Sequence, residues 1–571
     1  MSFSVSPGVL ISEVDITTTV STGVSTSTGA FAGNFQWGPV NERTLIGSEV
    51  ELVDNFGKPT SDTYQDFFSI ANFLSYSSAA WVVRIGDANN QVNLNSTSGS
   101  SAIRIDNNED YFVKSKPVGT GSWIARYPGA KGNSLAVAAC DCSVSFNSNV
   151  TITGNTVGTW SSNFSIVPST SLAASINGGQ NDELHILVID EDGAFSGTRG
   201  TILESYAHLS KAKGAKAEDG TNNYYVDVIN NSSKYVRVGG AFVLGANTSG
   251  TLSTTWTPTG SNVVSLSKGT DLDPLSSLTN EYIIGYSLFS NPEAVDVALI
   301  VSGAASTVVA QSVIDIATNR KDSIAFISPL WANVQPGQSI STITTAVTGF
   351  RNSLNRSSSY FVVDSGWKYQ YDKYNDVYRW VPLNGDIAGL CARTDSSRDP
   401  WWSPAGFNRG NILNIIKLAW NPGQAERDLL YPANVNPVVS FPGEGTILYG
   451  DKTGLTKPSA FDRINVRRLF ILLEKIIANS AKYSLFEFND EFTRAQFKSM
   501  IEPLLRDIKS RRGVYDFQVI CDGTNNTAQV IDANQFVGDI YIKPAKSVSV
   551  IKLNFVAVRT GVSFNEIIGK F

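Results

Sequence analysis

The sequence predicts an α+β chain of several domains, and three observations point to it. Its 571 residues exceed what one hydrophobic core usually serves. Two stretches alternate short buried-strand runs with helix-spaced apolar residues, as an α/β domain does. Between them, from about residue 91 to 183, the composition turns to Ser, Thr, Asn and Gly around short β-type runs, as an inserted β-rich domain would show. The 45 basic and 51 acidic residues form no long runs of either sign, so no surface for tracking phosphates, and hence no nucleic-acid partner, is expected. No stretch of about 18 uninterrupted apolar residues exists, and "MSFSVSPGVLISEVD" lacks the basic start and apolar core of a secretion signal. A soluble, unexported chain without direct membrane insertion is expected.

The elements follow in order. "SPGVLISEVDITTTV" reads as an extended strand, with Val9 and Ile11 on one side and Leu10 and Val14 on the other. The small, polar "STGVSTSTG", residues 21 to 29, should be a flexible tether, so residues 1 to 29 form an arm. "AFAGNFQWGP" is a strand running into a turn. "DTYQDFFSIANFLSY" places Phe67, Ile70, Phe73 and Leu74 at helical spacing with Asp62 as N-cap, and "AWVVRIGD" is a buried strand. Residues 30 to 90 are therefore the first part of a middle α/β domain. "VTITGNTVGTW" and "NFSIVP" supply strands to the insertion.

The second part of the middle domain, 184 to 361, opens with "LHILVIDEDGAFSGTRGTILESY", a hairpin around an Asp-Gly turn. "AVDVALIVSG", "DSIAFISPL" and "SYFVVDSGW" are strands separated by the helical "STVVAQSVIDIATNR" and "ISTITTAVTGFRNSL". In the region 362 to 547, "PSAFDRINVRRLFILLEKIIANSAKYSLFEF" reads as one long helix with capping-box spacing at Ser459 and Asp462 and an apolar stripe through Ile464, Leu472 and Ile476. A second helical pattern follows, interrupted at Pro503 and ended by Gly513, and then the strands "YDFQVICD" and "FVGDIYIKPA". The tail, 548 to 571, sets Ile551, Leu553, Phe555 and Ala557 on one side and Lys552 and Asn554 on the other, so the chain ends in strand as it began.

Motifs that could carry chemistry are few. Cys140, Cys142, Cys391 and Cys521 are too few for a disulfide framework and read as buried small hydrophobes; no second Cys/His pair joins Cys140 and Cys142 in a metal site. With only His185 and His208, histidine-dependent catalysis has few ways to be built, and composition leans away from an enzyme. His208 near Glu204 reads as a solvated helix face. The Asp190, Glu191, Asp192, Gly193 cluster lacks the later ligands of a calcium loop and reads as a turn. "GEGTILYGDKTG" nearly spells a phosphate-binding loop, but Asp451 intervenes and Ile447, Leu448 and Tyr449 make a strand. Arg463, Arg467 and Arg468 near a helix N-terminus oppose its dipole, which calls for an acidic partner. "YDKYNDVYRWVP" interleaves aromatics with charge and reads as a core or interface platform before a stacking site.

"YDKYNDVYRWVPLNGDIAGLCARTDSSRDPWWSPAGFNRGNILNIIKLAW", "LYGDKT", "PSAFDRINVRRLF" and "VICDGTNNTAQVID", with "GAFAGNFQWGP", "LVDNFGKPT", "WVVRIGD" and "ARYPGAKGNS", resemble the tail sheath proteins of contractile-tailed, T-even-like bacteriophages. The resemblance is dense from about residue 360 to 571 and absent from about 135 to 180. It implies a non-enzymatic, cofactor-free and metal-free polymer: hexameric rings stacked in a helix around a tail tube, metastable when extended, contracting to drive the tube through the host envelope. It also implies an inner domain built from 1 to 29 and 362 to 571, an outward-facing insertion, and terminal arms that lend strands to neighbouring subunits. The implied partners are further copies of the chain, the tail tube protein, and the baseplate and tail-terminator proteins, in a virion assembled in host cytoplasm. Trp401 and Trp402 fall in the inner-domain signature, as an aromatic anchor against the domain or the next subunit. Arg463, Arg467 and Arg468 become candidates for contact with an acidic tube. Alternatives are the sheath of a phage-derived injection system, such as an R-type bacteriocin or secretion system, and a carbohydrate-binding or glycan-cleaving tail protein.

Overall fold

A computed structural model describes residues 25–87, 104–113, 122–239, 250–272 and 278–548. The expected terminal strands, with Val9, Leu10, Ile11 and Val14 at one end and Ile551, Leu553, Phe555 and Ala557 at the other, lie outside the described residues. The chain divides into two compact units, one spanning Ser21–Pro400 and Pro404–Tyr483 and a smaller one holding Trp401–Ser403 and the chain from Ser484 onward.

The larger unit is organised by a six-stranded sheet in the order Phe361–Val363, Ile324–Ile327, Leu299–Val301, Gly29–Gly33, Ala80–Arg84, Arg43–Ile46. The first five strands are parallel and Arg43–Ile46 closes the edge antiparallel. Parallel strands are covered on both faces, which is why these runs are apolar almost throughout. Phe31, Val82, Leu299 and Phe326 face one core, where the helices Tyr64–Leu74 and Asn384–Ser397 pack. Ala30, Ala32, Val83, Ile300 and Ile327 face the other, covered by the helices Thr307–Arg320 and Ile340–Ser353. Each of these last two helices starts where a serine hydroxyl, Ser306 or Ser339, accepts a first-turn backbone N–H. The α/β alternation read from sequence is therefore present.

Several expectations change. Gly29 of the expected tether already belongs to the central strand, and the Thr28 carbonyl accepts from Ala298 N at 3.0 Å. The Tyr64–Leu74 helix starts after Thr63, not from Asp62. A separate antiparallel sheet runs Ser261–Ser265, Leu135–Cys140, Glu183–Asp190, Thr201–Ser210. The insertion thus extends well past the expected boundary at 183, because "LHILVID" pairs with Leu135–Cys140 rather than with the parallel sheet. The Asp-Gly turn is a ten-residue loop, 191–200, in which the Asp190 carboxylate accepts the backbone N–H groups of Gly193, Phe195 and Ser196. His208 lies on the strand Thr201–Ser210, not on a helix, and "NFSIVP" forms no strand.

The expected inner domain, 362–547, does not form one body: residues up to Tyr483 pack with the parallel sheet, and the smaller unit starts at Ser484. The expected long helix is shorter, Ile464–Ala481 followed by a 3-10 turn at Lys482–Ser484, and the second helical pattern forms the helix Glu491–Ser510, capped by Asp490. Glu491–Ser510 runs through Pro503 without a break, and its end is formed by Arg512 in the left-handed conformation, φ 67°, before Gly513. The ribbon Val514–Ile520 with Asp539–Pro544 completes this unit.

Candidate assembly interface

The N-terminal segment enters the fold at one well-held point. The Arg468 guanidinium, on the Ile464–Ala481 helix, donates to Asp395 Oδ2 at 2.5 Å and to the Thr26 carbonyl at 3.2 Å, with a further bond to Cys391 O at 3.2 Å. Arg468 and Asp395 are both almost fully buried, so the pair is shielded from water and salt. About two turns along, Lys475 Nζ bonds Asp296 Oδ1 at 2.7 Å and the Val297 carbonyl at 3.3 Å, beside the start of the strand Leu299–Val301. Any strand contributed by residues before Ser25 departs from this clamp.

The partners of the arginine cluster are found on the chain itself, which corrects the reading of Arg463, Arg467 and Arg468 as contacts for an acidic tube. Arg463 donates to Asp451 Oδ1 at 2.7 Å and to the Tyr431 hydroxyl. The Arg467 guanidinium lies between the rings of Phe461 and Tyr360, 4.1 and 4.4 Å from their centroids, and donates to the Tyr360 hydroxyl at 3.0 Å. Arg467 and Arg468 are buried. A desolvated guanidinium needs a compensating charge or ring face, and each of the three has one within its own subunit.

In the smaller unit Trp401 is buried, its indole N–H donates to the Arg511 carbonyl at 3.2 Å, and the Arg511 guanidinium covers its ring at 5.1 Å. Arg512 lies 5.6 Å from the Trp402 ring. The tryptophan pair is thus clasped by the residues that end the Glu491–Ser510 helix. The ribbon beside it has no third strand among the described residues, and Tyr515 and Tyr541 on it are exposed. Two-stranded sheets are marginal alone.

Two aromatic surfaces stand out, and only the second was legible in the sequence. The first is the turn at 485–492, where Leu485, Phe486, Phe488 and Phe492 are all largely exposed. The turn is nonetheless pinned: Asn489 Nδ2 donates to the Gln535 carbonyl at 2.7 Å, and Arg494 donates to Asn489 Oδ1 at 2.7 Å. Phe486 adopts φ 68°, a conformation that bulky residues avoid. Sequence reasoning had placed these residues on a helix, where a run so apolar would be buried.

The second is the hairpin Trp367–Asp372 with Val377–Pro382, the expected aromatic platform. Its register sets Tyr369 opposite Trp380 and Tyr371 opposite Tyr378 on one face, with centroids 4.6 and 5.3 Å apart. Tyr371 and Tyr378 are half exposed. Next to Tyr371 a cleft of about 340 Å3 opens against the Tyr64–Leu74 helix, walled by Phe68, Ala71, Ile415 and Ile416. The opposite face of the hairpin is polar but dry: Lys368 Nζ bonds Asp386 Oδ1 at 2.9 Å, and the Tyr76 hydroxyl bonds the same oxygen at 3.1 Å. Nearby, Asp364 is wholly buried, accepting from Ser328 Oγ at 2.6 Å and Gly366 N at 2.9 Å. Burial outweighs these bonds and pushes its pKa up to about 8.

The remaining chemistry-bearing residues have structural employment. His185 is fully buried; Nε2 bonds the Ile166 carbonyl at 2.8 Å, and Nδ1 accepts from His208 N at 3.1 Å. Cys140 lies on a buried strand, and all four cysteines are free thiols. Gly445–Leu448 is the outer strand of an antiparallel pair with Val438–Phe441, not a phosphate cradle.

Set beside known proteins, residues 278–454 match the phage tail sheath protein central domain and residues 456–557 the phage tail sheath C-terminal domain. The tail sheath protein of Salmonella phage ViI is 35% identical over 99% of this chain and 98% of its own length. That of Enterobacteria phage T4 is 33% identical over 99% of both. The fold is shared with a sheath tail protein from Listeria innocua, at TM-score 0.53 and 11% identity over 91% of this chain and 95% of that one. With these relatives matching across nearly their whole length, the chain belongs to the phage tail sheath protein family.

Proposed function

We propose that the chain is the repeating subunit of a contractile phage tail sheath, a non-enzymatic element of the virion that polymerises around the tail tube and shortens to drive the tube through the host envelope. Its partners in this reading are further copies of itself in stacked six-membered rings, the tube, the baseplate and the tail terminator, met in the host cytoplasm during assembly. The observation that carries it is the 33–35% identity to named tail sheath proteins along the full chain. The ribbon Val514–Ile520 with Asp539–Pro544, which has no third strand among the described residues, supports the way subunits would join.

The energetics of an arm suit that ribbon. Fixing about ten residues costs roughly 10–20 kcal/mol of backbone entropy. Burying four apolar side chains returns about 6–12 kcal/mol, and some eight ladder hydrogen bonds about 4–12 kcal/mol. The terms nearly cancel, so an arm orders only against a subunit already in place, and growth needs a template. No nucleotide is required, because shortening would release free energy stored in the extended lattice.

Electron microscopy of the purified chain is the direct test. Hollow tubules of uniform diameter are expected. Persistent monomers together with release of sugar from host envelopes would instead favour a glycan-acting tail protein.

A further inference from the structure

The turn at 485–492 and the aromatic hairpin are two exposed apolar surfaces at different places on one chain. Taking about 200 Å2 for each large side chain, Leu485, Phe486, Phe488 and Phe492 leave roughly 600 Å2 of apolar surface in water. That is at the upper end of what a monomer leaves wet and somewhat less than the roughly 800 Å2 each partner buries in a standard complex. The turn is also not a floppy excursion. Asn489 is bonded to Gln535 and to Arg494, Asp490 caps the following helix by accepting Thr493 N at 2.8 Å, and Phe486 is held at φ 68°. A strained, pinned display of side chains is the mark of a contact surface rather than of a loose connection.

The occupant follows from shape and from symmetry. The 485–492 turn projects single rings outward, whereas the hairpin presents a cluster of tilted rings, Tyr369, Tyr371, Tyr378 and Trp380, beside a cleft of about 340 Å3. That volume accommodates one or two phenyl rings; Phe68, Ala71, Ile415 and Ile416 give its lining an apolar part, beside the polar Asn72, Ser75, Gln370 and Asn414 and the ion pair Glu49–Lys373. A contact between two different patches of identical subunits is heterologous, and heterologous contacts that do not close generate helices. A single such contact of this area is too small for a stable dimer in solution, yet repeated through a lattice it adds to every neighbour. We infer that the 485–492 turn of one sheath subunit docks on the Tyr371–Tyr378 face and adjoining cleft of a second copy, as a head-to-tail contact of the polymer.

This inference rests on the sheath reading, and the experiment separates the two. Tubule formation by the full chain is followed by sedimentation and electron microscopy for wild type, for Phe486→Ser with Phe488→Ser, and for Tyr378→Ser with Ile416→Ser. Both double variants should keep the wild-type melting temperature, since the altered side chains are exposed, and should raise the concentration needed for tubules at least tenfold. In a second arm, Phe488→Cys and Ile416→Cys are combined and tubules are oxidised. A heterologous contact gives a ladder of dimers, trimers and higher multimers on a denaturing gel, with neither single-cysteine variant giving one. Wild-type tubules alongside normal tubules from either double variant, or tubules without the ladder, would each overturn the inference and leave the sheath reading standing. Absence of tubules from wild type would overturn the sheath reading itself.

Discussion

Arg468 reaches the Asp395 carboxylate at 2.5 Å and, through the same guanidinium nitrogen, the Thr26 carbonyl at 3.2 Å. One buried charge therefore ties the Ile464–Ala481 helix to the Asn384–Ser397 helix and to the root of the N-terminal segment. Removing one member of such a pair strands the other without water. Arg468→Ala should destabilise the free subunit by about 3–5 kcal/mol, while Arg468→Met with Asp395→Leu should recover most of that loss. Urea denaturation followed by tryptophan fluorescence gives both values; an Arg468→Ala midpoint equal to wild type would remove the clamp.

Deleting residues 1–20 leaves every described contact intact. That variant should fold, with a wild-type melting temperature, and should form no tubules. Electron microscopy checks it, and tubules of normal length from the truncated chain would deny the N-terminal arm its joining role.

Gly385 begins the Asn384–Ser397 helix where it crosses Tyr64–Leu74. A Cβ there would lie 2.0 Å from the Ser69 carbonyl oxygen, which is backbone and cannot swing away. Gly385→Ala should therefore cost about 1–3 kcal/mol or more, despite the better helix propensity of alanine. The two helices would have to part, so calorimetry should show a lower melting temperature; an unchanged one would mean that the crossing is looser than the structure has it.

Two buried groups should bound the pH range of the free subunit. Burial raises the Asp364 carboxyl from its ordinary 3.8 to about 8, so between these values the folded state binds more protons than the unfolded one, and stability falls as pH rises through that window. The slope is at most ~1.4 kcal/mol per pH unit for one proton. Burial lowers the His185 pKa below its ordinary 6.5, so the unfolded state takes up the proton first and stability falls as pH drops below that value. Asp364→Asn removes this titration and should flatten the decline that runs up to about pH 8, leaving the His185 contribution, which acts in the opposite sense at the acid end. Melting temperatures of the two proteins from about pH 5 to about 8 decide it, and parallel curves across that window would acquit Asp364.

What could be read from the residues was whatever local pattern determines. Ala80–Arg84, Leu299–Val301 and Ile324–Ile327 were visible because a parallel strand buried on both faces must be apolar throughout. The arginines were misjudged because their partners are remote: Asp395 lies 73 positions from Arg468, and no periodicity reveals which carboxylate will fold beside which guanidinium. Asp190 defeated the turn reading for a similar reason, since a short side chain bonding several backbone N–H groups can organise a long loop that starts with tight-turn residues. The 485–492 turn escaped notice because hydrophobic spacing reports what water would rather avoid, not whether this molecule or a neighbour will cover it.

The place of Gly29–Gly33 in the sheet has a mechanical meaning. It is an inner strand, hydrogen-bonded in parallel to Leu299–Val301 on one side and Ala80–Arg84 on the other, and the chain ahead of it leads to the N-terminus. Tension applied through that leading segment would arrive along the strand axis, loading both flanking ladders in shear, so their bonds must yield together instead of unzipping singly. The parallel sheet of the larger unit would accordingly resist such a pull as one block before any strand left it.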